Sequence, residues 1–214
     1  MRSERILIDA PAGAIETVFD YPADAAPTGV RGLALVAHPH PLYGGTLDNK
    51  VVQILARTFV ELGYVSVRPN FRGVGASAGV HDEGNGETDD LIEVIAHARR
   101  KLALPDQPLV LAGFSFGSLV VSRVAKQLAI EQAVERAVER IVFVGTAVTR
   151  GKVEDVPADT IVIHGESDDT VPLDAVLRWA EPQELPVIVI AGADHFFHRR
   201  LHIIKGIILR AWQR

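Results

Sequence analysis

The chain has 214 residues, of which 48% are hydrophobic and 23% charged, the balance of a folded globular protein and not of a disordered or fibrous one. Its formal net charge of -5 and its scattered positive residues offer no basic surface to a phosphate backbone, so we expect no nucleic-acid partner. The absence of cysteine excludes disulfides, thiolate metal sites and a cysteine nucleophile.

Length and the N-terminal segment bear on domain number and location. The length suits one core, and we expect residues 1–214 to form a single α/β domain. Met1–Asp9 contains an acidic residue and only a short apolar run, which is not the pattern of a signal peptide or membrane anchor. A run of about 18 apolar residues, as a spanning helix needs, does not occur. We therefore expect a cytoplasmic protein without a membrane partner.

Strand-like and helix-like segments alternate along the chain, which predicts a mostly parallel sheet with helices on both faces. The first two strands, 5–9 and 14–21, are joined by a turn too short for a parallel crossover. They are expected to form an antiparallel hairpin at the sheet edge. Buried strands of β-branched and aliphatic residues are predicted at 32–37, 64–68, 109–114, 140–144, 160–163 and 186–190.

Helices are predicted between these strands. Apolar residues at helical spacing indicate crossover helices over Asn49–Leu62 and Glu87–Leu102. The segment Asp82–Asp90, rich in acidic residues and glycine, is predicted to be a flexible loop that leads into a helix start. A third helix is predicted to begin at Ser115 and to run toward Arg140.

The segment around Ser115 carries the strongest functional signal. A hydrophobic strand is followed by Gly113-Phe-Ser115-Phe-Gly117 and then by a helical run. A serine at such a sharp strand-to-helix turn projects from the sheet, and the glycines let the strand and helix backbones approach without Cβ clashes. Because a hydroxyl also needs a base to become reactive, the pattern leaves a helix-capping role for Ser115 open.

Two later strands end in residues suited to be that base and its acid. The strand over 160–163 leads into a loop with Asp168 and Asp169, and the strand over 186–190 leads to His195. The carboxyl ends of parallel strands lie at one edge of an α/β sheet, so these residues are expected to converge on the serine. Serine, acid and histidine in this chain order are typical of a catalytic triad.

These motifs resemble those of the α/β-hydrolases. His-Gly-x-x-Asp-x-x-Val-Pro over 164–172 and Gly-x-x-His over 192–195 are forms that their acid and base loops commonly take, and the resemblance covers nearly the whole chain. The segment 38–45, with Asn49 and Lys50, looks like that of small bacterial esterases that lack a lid and are similar to dienelactone hydrolase.

The resemblance implies roles for the three residues. Ser115 is expected to be the nucleophile, His195 the general base and Asp168 the acid that orients the base. Such a triad uses no cofactor. The implied reaction is hydrolysis of small carboxylic esters through an acyl-enzyme. Thioesterase, amidase or acyltransferase activity on the same triad, or a non-catalytic ligand-binding protein of this fold, are the alternatives.

Acyl transfer also needs two N–H donors aimed at the developing oxyanion. Phe116, directly after the serine, is expected to supply one of them. The other is expected from the loop after the strand over 32–37, which resembles the family's His-Gly loop with Pro39 in place of glycine. Because prolines have no N–H, the backbone of His40 is the expected donor, and Leu42 or Tyr43 is the alternative.

The surroundings of the site are also predicted. Members of the family commonly insert a cap domain before the strand that carries the acid, and the connection 145–159 is too short for one. We therefore expect an open site without a cap. Its apolar substrate pocket is expected to be lined by the neighbours of the site residues in sequence, Leu42, Tyr43, Phe196 and Phe197.

Other residues could take the roles of acid and base. Asp169 could replace Asp168, since neighbours on a turn point in different directions. His198 and His202 lie three and seven residues after His195, so a helix there would place all three on one face. Either could then be the base.

A metal site is a further alternative. Its candidate ligands are Asp194, His195 and His198, together with His38 and His40. The sequence has no His-Glu-x-x-His pattern to support it, so we expect no metal. His164, at a strand end before Gly165, is interpreted as structural.

Overall fold

The computed structural model describes residues 1–23, 29–104, 106–132 and 138–212. The strands of this part of the chain are β1 (Arg2–Ala10), β2 (Gly13–Tyr21), β3 (Gly32–Ala37), β4 (Tyr64–Pro69), β5 (Leu109–Phe114), β6 (Arg140–Val144), β7 (Ile161–Gly165) and β8 (Val187–Ile190). Its α-helices are α1 (Lys50–Glu61), α2 (Asn85–Leu102), α3 (Phe116–Gln132), α4 (Leu173–Ala180) and α5 (Leu201–Trp212). Short 3₁₀ helices cover Pro41–Tyr43 and Glu181–Gln183.

The eight strands form one sheet in the order β1-β2-β4-β3-β5-β6-β7-β8. β1 pairs antiparallel with β2 over its whole length, from Arg2 opposite Tyr21 to Ala10 opposite Gly13. β2 pairs antiparallel with β4, and every other neighbouring pair is parallel. The predicted sheet, with an antiparallel hairpin at its N-terminal edge, is confirmed.

Helices cover both faces of this sheet. Along β3, Leu33 and Leu35 belong to one apolar cluster while Ala34 and Val36 belong to another, as alternation along a strand requires. The first cluster also contains buried residues of α2 and α3, among them Leu91, Val94, Ile95, Leu119 and Val124. The second contains those of α1 and α5, among them Val52, Leu55, Phe59, Ile204 and Ile208. The doubly wound arrangement is therefore confirmed.

The start of α2 lies close to the prediction. The helix begins at Asn85, two residues before the predicted Glu87 and within the segment predicted to be a loop that leads into a helix start. The acids of that segment bind the free N–H groups of the helix start: Asp82 Oδ2 accepts from Gly86 N at 2.9 Å, and Glu87 Oε2 accepts from Gly84 N at 2.9 Å. The acidic residues of the predicted loop and helix start thus cap the helix.

Two further helices need comment. α3 ends at Gln132, and residues 133–137 of its predicted extension toward Arg140 lie outside the described residues. Arg140 itself begins β6. The helix α4 was not predicted. Its buried Val176 packs against Val162 of β7 and against Val171.

The connection between β6 and β7, residues 145–160, is described throughout and contains neither helix nor strand. Hydroxyl groups of α3 hold it along that helix. Ser118 Oγ accepts a hydrogen bond from Ala147 N at 3.2 Å, and Ser122 Oγ accepts one from Glu154 N at 3.0 Å. The expected absence of a cap domain at this position is confirmed. Separately, none of the described helices is both long and apolar enough to span a membrane.

Candidate active site

Ser115 lies at the sharp turn between β5 and α3. Its φ of 55° is in the left-handed region, which is strained for a residue with a side chain. The surrounding backbone holds this conformation: Ser115 N donates to Val144 O at 2.9 Å, and Ser115 O accepts from Ser118 N at 2.9 Å and from Ser118 Oγ at 2.6 Å. The strand, the helix and β6 therefore fix the position of the hydroxyl.

The two glycines around Ser115 are required by close backbone contacts. A Cβ on Gly113 would lie 2.4 Å from the carbonyl carbon of Gly117, and a Cβ on Gly117 would lie 2.4 Å from Ala37 O. Neither position has room for a side chain. The sequence-based reason for these glycines is confirmed, and the contact also places the start of α3 against the end of β3.

His195, in the loop after β8, joins Ser115 to Asp168. Its Nε2 lies 3.0 Å from Ser115 Oγ, and its Nδ1 lies 2.7 Å from Asp168 Oδ2. The imidazole is buried, with Phe196 edge-on at a centroid distance of 5.2 Å. A Cβ on Gly145, which has a φ of 55°, would come within 3.2 Å of the imidazole Cε1. Glycine at 145 thus leaves the space that the imidazole occupies.

Asp168 is oriented by its own loop, which follows β7. Its Oδ1 accepts from Thr170 N at 3.0 Å and from Val171 N at 2.8 Å, which leaves Oδ2 for His195. Burial favours the protonated acid, but the hydrogen bonds from His195 and Val171 outweigh it and hold the pKa of Asp168 below its ordinary value. Asp168 is therefore a carboxylate at neutral pH.

The charge on Asp168 sets the tautomer of the imidazole beside it. A carboxylate only accepts, so Nδ1 of His195 carries a proton and Nε2 of the neutral ring presents a lone pair to the Ser115 hydroxyl. The hydroxyl then donates to Nε2. This arrangement can remove a proton from Ser115 Oγ while Asp168 stabilises the resulting imidazolium.

The alternative acid and bases lie elsewhere. Asp169 is exposed, and its Oδ1 accepts a hydrogen bond from Thr170 Oγ1 at 3.3 Å. His198 precedes α5 and lies on the surface with Asp194, its Nδ1 2.7 Å from Asp194 Oδ2. His202 is exposed on α5. The structure brings Asp168 and His195, and none of these, to Ser115.

The loop after β3, which was expected to supply an oxyanion donor, is held by His38. This imidazole is fully buried; its Nδ1 donates to Pro39 O at 2.6 Å and its Nε2 accepts from Phe71 N at 2.9 Å. Burial lowers the pKa of His38 to about 3, so the ring is neutral at physiological pH. With both ring nitrogens occupied, His38 is not free to ligate a metal.

His38 also orients the peptide that carries the predicted donor. Pro39 C=O and His40 N–H belong to one trans peptide, so the two groups point in opposite directions. Among the described residues, nothing accepts from His40 N–H. Leu42 N donates to His40 Nδ1 at 3.3 Å, and Tyr43 N donates to His40 O at 3.2 Å. The two alternative donors are thus engaged within the loop.

Phe116, the other predicted donor, is the first residue of α3. Its N–H has no acceptor within the described part of the chain, as is usual for the first turn of a helix. Its ring packs against that of His40 at a centroid distance of 4.7 Å. The pKa of His40 is lowered, chiefly because its ring is partly buried and also because His81 and Arg150 lie nearby. The segments of both predicted donors are therefore in contact next to Ser115.

The predicted pocket residues differ in exposure. Leu42 and Tyr43 are each 71% exposed and Phe196 is 47% exposed, so these apolar groups are open to solvent at the site. Phe197 is fully buried in the cluster under α1 and α5, where a left-handed φ of 53° directs it. The prediction that Phe197 lines the pocket is wrong, because the tight turn after His195 points successive side chains to opposite sides.

A cavity of about 410 Å³ opens beside Phe196. Phe196 contacts the His195 ring and also lines this cavity, which places the cavity next to the candidate site. Its other lining residues are Asp48, Asn49, Lys50, Val51, His198, Arg199 and Leu201.

Within the described residues, no group of three or more His, Cys, Asp or Glu side chains is arranged to hold a metal ion.

Sequence reasoning missed two residues of the site. Gly145 makes room for the His195 ring, and His38 fixes the His40 peptide. Each directly follows a buried strand, Gly145 after β6 and His38 after β3. Position at the carboxyl end of a parallel strand is a signal that could have indicated both.

Comparison with known proteins decides the family. Residues 40–156 match the family described as alpha/beta hydrolase fold, which is more than half of the chain. The "Uncharacterized protein RP471" of Rickettsia prowazekii (strain Madrid E) is 32% identical over 200 residues, covering 90% of this chain and 82% of that protein. The chain belongs to the α/β-hydrolase family.

Two solved structures of α/β-hydrolases are similar over nearly the whole chain. XC6422 from Xanthomonas campestris, described as a serine hydrolase without a lid, is 36% identical with a TM-score of 0.88, covering 100% of this chain and 95% of that one. An α/β serine hydrolase homologue from Coxiella burnetii is 32% identical with a TM-score of 0.81, covering 98% and 97%. This α/β-hydrolase shares their fold, and, like XC6422, it has no lid: its 145–160 connection contains neither helix nor strand.

Proposed function

We propose that this α/β-hydrolase is a serine hydrolase that cleaves small carboxylic esters through an acyl-enzyme, with residues 1–214 as a single domain. The observation that carries the proposal is the chain of contacts from Asp168 Oδ2 to His195 Nδ1 at 2.7 Å and from His195 Nε2 to Ser115 Oγ at 3.0 Å. A buried acid, an imidazole of fixed tautomer and a strained serine in this order are the parts that acyl transfer requires.

The first half-reaction would form the acyl-enzyme. His195 Nε2 accepts the Ser115 proton as Oγ attacks the ester carbonyl carbon, and Asp168 stabilises the imidazolium. The carbonyl oxygen becomes an oxyanion and accepts hydrogen bonds from the N–H groups of Phe116 and His40. The tetrahedral intermediate then collapses: the bond to the leaving alkoxide breaks, and the imidazolium gives its proton to that oxygen.

The second half-reaction would release the acid. Water takes the place of the alcohol, and His195 Nε2 accepts its proton as the water oxygen attacks the acyl carbon. The same N–H donors stabilise the second oxyanion. The bond to Ser115 Oγ then breaks, and His195 returns the proton to that oxygen. The enzyme regains its starting state, and a carboxylic acid leaves.

The substrate class rests on the open site. The connection 145–160 contains no helix or strand that could form a lid, and the apolar groups of Leu42, Tyr43 and Phe196 are exposed. A shallow apolar surface of this kind suits a short acyl chain and not a long one. The two similar solved structures, both described as serine hydrolases, support the reaction class.

A fluorophosphonate probe tests the proposed reaction directly. Wild-type protein is expected to become phosphonylated at Ser115, located by peptide mass spectrometry, and to lose esterase activity in step with labelling. Ser115→Ala should take up no probe, whereas Ser167→Ala, which changes an exposed serine beside Asp168, should react like wild type. A folded wild-type protein that stays unlabelled would identify a non-catalytic member of the fold.

A chain-length series tests the substrate class. Nitrophenyl acetate or butyrate should be cleaved with a higher kcat/KM than the palmitate ester, because an open surface binds few methylene groups. The rate should also show no jump when the substrate passes its solubility limit. A preference for palmitate, or such a jump, would indicate a lipase covered by another segment, such as 80–90.

A further inference from the structure

A second imidazole lies against the acid of the proposed triad. His164, the fourth residue of β7, is fully buried, and its Nε2 lies 2.9 Å from Val171 O and 3.4 Å from Asp168 Oδ2. The reaction described above does not use this residue. A buried titratable group in contact with a catalytic carboxylate calls for a physical account.

The contacts of His164 fix its tautomer. A carbonyl oxygen only accepts, so Nε2 carries the proton that binds Val171 O. Nδ1 is buried and has no hydrogen-bond partner among the described residues, so a proton there would be an unsatisfied buried N–H. Burial accordingly lowers the pKa of His164, against the opposing effects of Val171 and Asp168. The ring is a neutral donor at physiological pH.

This donor acts on Asp168 in two ways. It holds Val171 O, and the N–H of the same Val171 binds Asp168 Oδ1 at 2.8 Å, so the loop that sets the carboxylate orientation is attached to β7. It also places the positive edge of an N–H beside Oδ2, the oxygen that faces His195. Asp168 and His195 are the titratable groups that His164 faces.

We propose that His164 is a positioning residue for the proposed triad: it holds Asp168 Oδ2 toward His195 and weakens the negative charge that Oδ2 presents to that imidazole. The inference rests on the proposed function. A charged His164 would compete with His195 for the carboxylate, whereas the neutral ring supplies a donor without a full charge.

The test compares one variant that keeps an N–H with one that does not. His164→Gln can still donate to Val171 O, whereas His164→Leu has a similar volume and no donor. We expect His164→Leu to lower kcat by about 10- to 100-fold with KM within threefold, and to move the acidic limb of the kcat/KM profile to higher pH, because the unscreened carboxylate favours the imidazolium. His164→Gln should recover most of kcat, and the acidic limb of its kcat/KM profile should lie at the wild-type pH. His97→Leu, on α2, is the control.

Rates are expressed per site labelled by the fluorophosphonate, so unfolded protein does not contribute. The proposal would be overturned in favour of simple packing if His164→Gln and His164→Leu lost equal amounts of kcat. It would also be overturned if the acidic limb of the kcat/KM profile in His164→Leu stayed in place or moved to lower pH. The downfield proton signal of the His195 Nδ1–H in one-dimensional NMR gives a readout without substrate. It should weaken in His164→Leu and persist in His164→Gln, and persistence in both would contradict the proposal even if the chain proved inactive on esters.

Discussion

Two histidine–aspartate pairs lie close together in the sequence of this α/β-hydrolase at His195 and His198, and they share the same distance between imidazole and carboxylate. His195 Nδ1 lies 2.7 Å from Asp168 Oδ2, and His198 Nδ1 lies 2.7 Å from Asp194 Oδ2. The side chains of the first pair are 3% and 0% exposed, and those of the second are 70% and 45% exposed. Water therefore screens the second pair, which contributes little to stability or reactivity.

The third partner also separates the pairs. His195 presents its free nitrogen to the hydroxyl of Ser115, whereas His198 has no nucleophile beside it among the described residues. The acid next to His195 in sequence, Asp194, is not its partner; the partner is Asp168 on another strand. A short distance between imidazole and carboxylate therefore indicates a candidate for catalysis only when burial and a third group accompany it.

The largest expected effect comes from removing each imidazole in turn. His195→Ala should lower turnover of nitrophenyl acetate by about 10⁴ to 10⁶, because members of a triad act as a unit. His198→Ala should stay within about twofold of wild type, because its pair is exposed and far less effective electrostatically. Circular dichroism first checks that both variants have a native fold. Steady-state kinetics then compare their turnover with that of wild type. Activity within tenfold of wild type in His195→Ala would remove the triad assignment.

The acids should differ in the same way, with a somewhat smaller effect. Asp168→Asn should reduce kcat by about 10³ to 10⁴, because an amide holds the wrong imidazole tautomer and cannot stabilise the imidazolium. Asp169→Asn and Asp194→Asn should each retain most of the activity, since both carboxylates are exposed. If Asp169→Asn proved more damaging than Asp168→Asn, the acid would have to be moved by one residue.

The donor on the other side of Ser115 can be tested by removing one N–H. His40 has a φ of -55°, which proline can adopt, so His40→Pro deletes the donor and keeps the backbone angle. Its kcat should lie about 10²- to 10³-fold below that of His40→Ala, which loses the imidazole but keeps the N–H. Comparison of these two variants tests the backbone position, since proline replaces the N–H by a ring carbon and so removes the donor and fills its place. Equal activity in both would assign the second donor to another residue.

Buried and exposed imidazoles should also differ in the pH dependence of stability. The pKa of His38 falls from 6.5 to about 3 on folding, so below about pH 6.5 the unfolded chain binds a proton that the native protein does not. Stability should therefore fall as the pH is lowered from 6.5 toward 3, by up to about 1.4 kcal/mol per pH unit from this group. Urea unfolding between about pH 7 and pH 5 measures this slope.

His38→Gln should show a shallower fall than wild type, whatever its stability at neutral pH. His202→Gln, which changes an exposed imidazole, should follow the wild-type slope. Parallel slopes for wild type and His38→Gln would show that His38 is protonated in the native state at these pH values, contrary to its two buried hydrogen bonds.

The sequence predicts the sheet, its crossover helices and the convergence of Ser115, Asp168 and His195, because each depends on the period of apolar residues or on the ends of parallel strands. It fails where a side chain's direction depends on a local turn. Phe197, which follows His195 and Phe196 in the sequence, points into the core because its backbone is left-handed. No residue type or spacing reports such an angle in advance.

Polar residues were predicted less well than apolar ones, for a related reason. Asp82 and Glu87 were placed in a loop that leads into a helix start, but their contacts with backbone N–H groups at the start of α2 were not predicted. His38 received attention only as a metal ligand, whereas it orients the peptide of His40. The hydrogen-bond partners of these side chains are backbone groups, which every residue possesses, so the sequence holds no complementary residue to indicate the contact.

The attachment of the β6–β7 connection to α3 has a kinetic consequence. Ser118 and Ser122 fasten it at Ala147 and Glu154, so any opening of this connection would have to break both hydrogen bonds. If the proposed hydrolysis takes place at Ser115, turnover should therefore need no gating motion of this connection, and kcat should be insensitive to added viscogen.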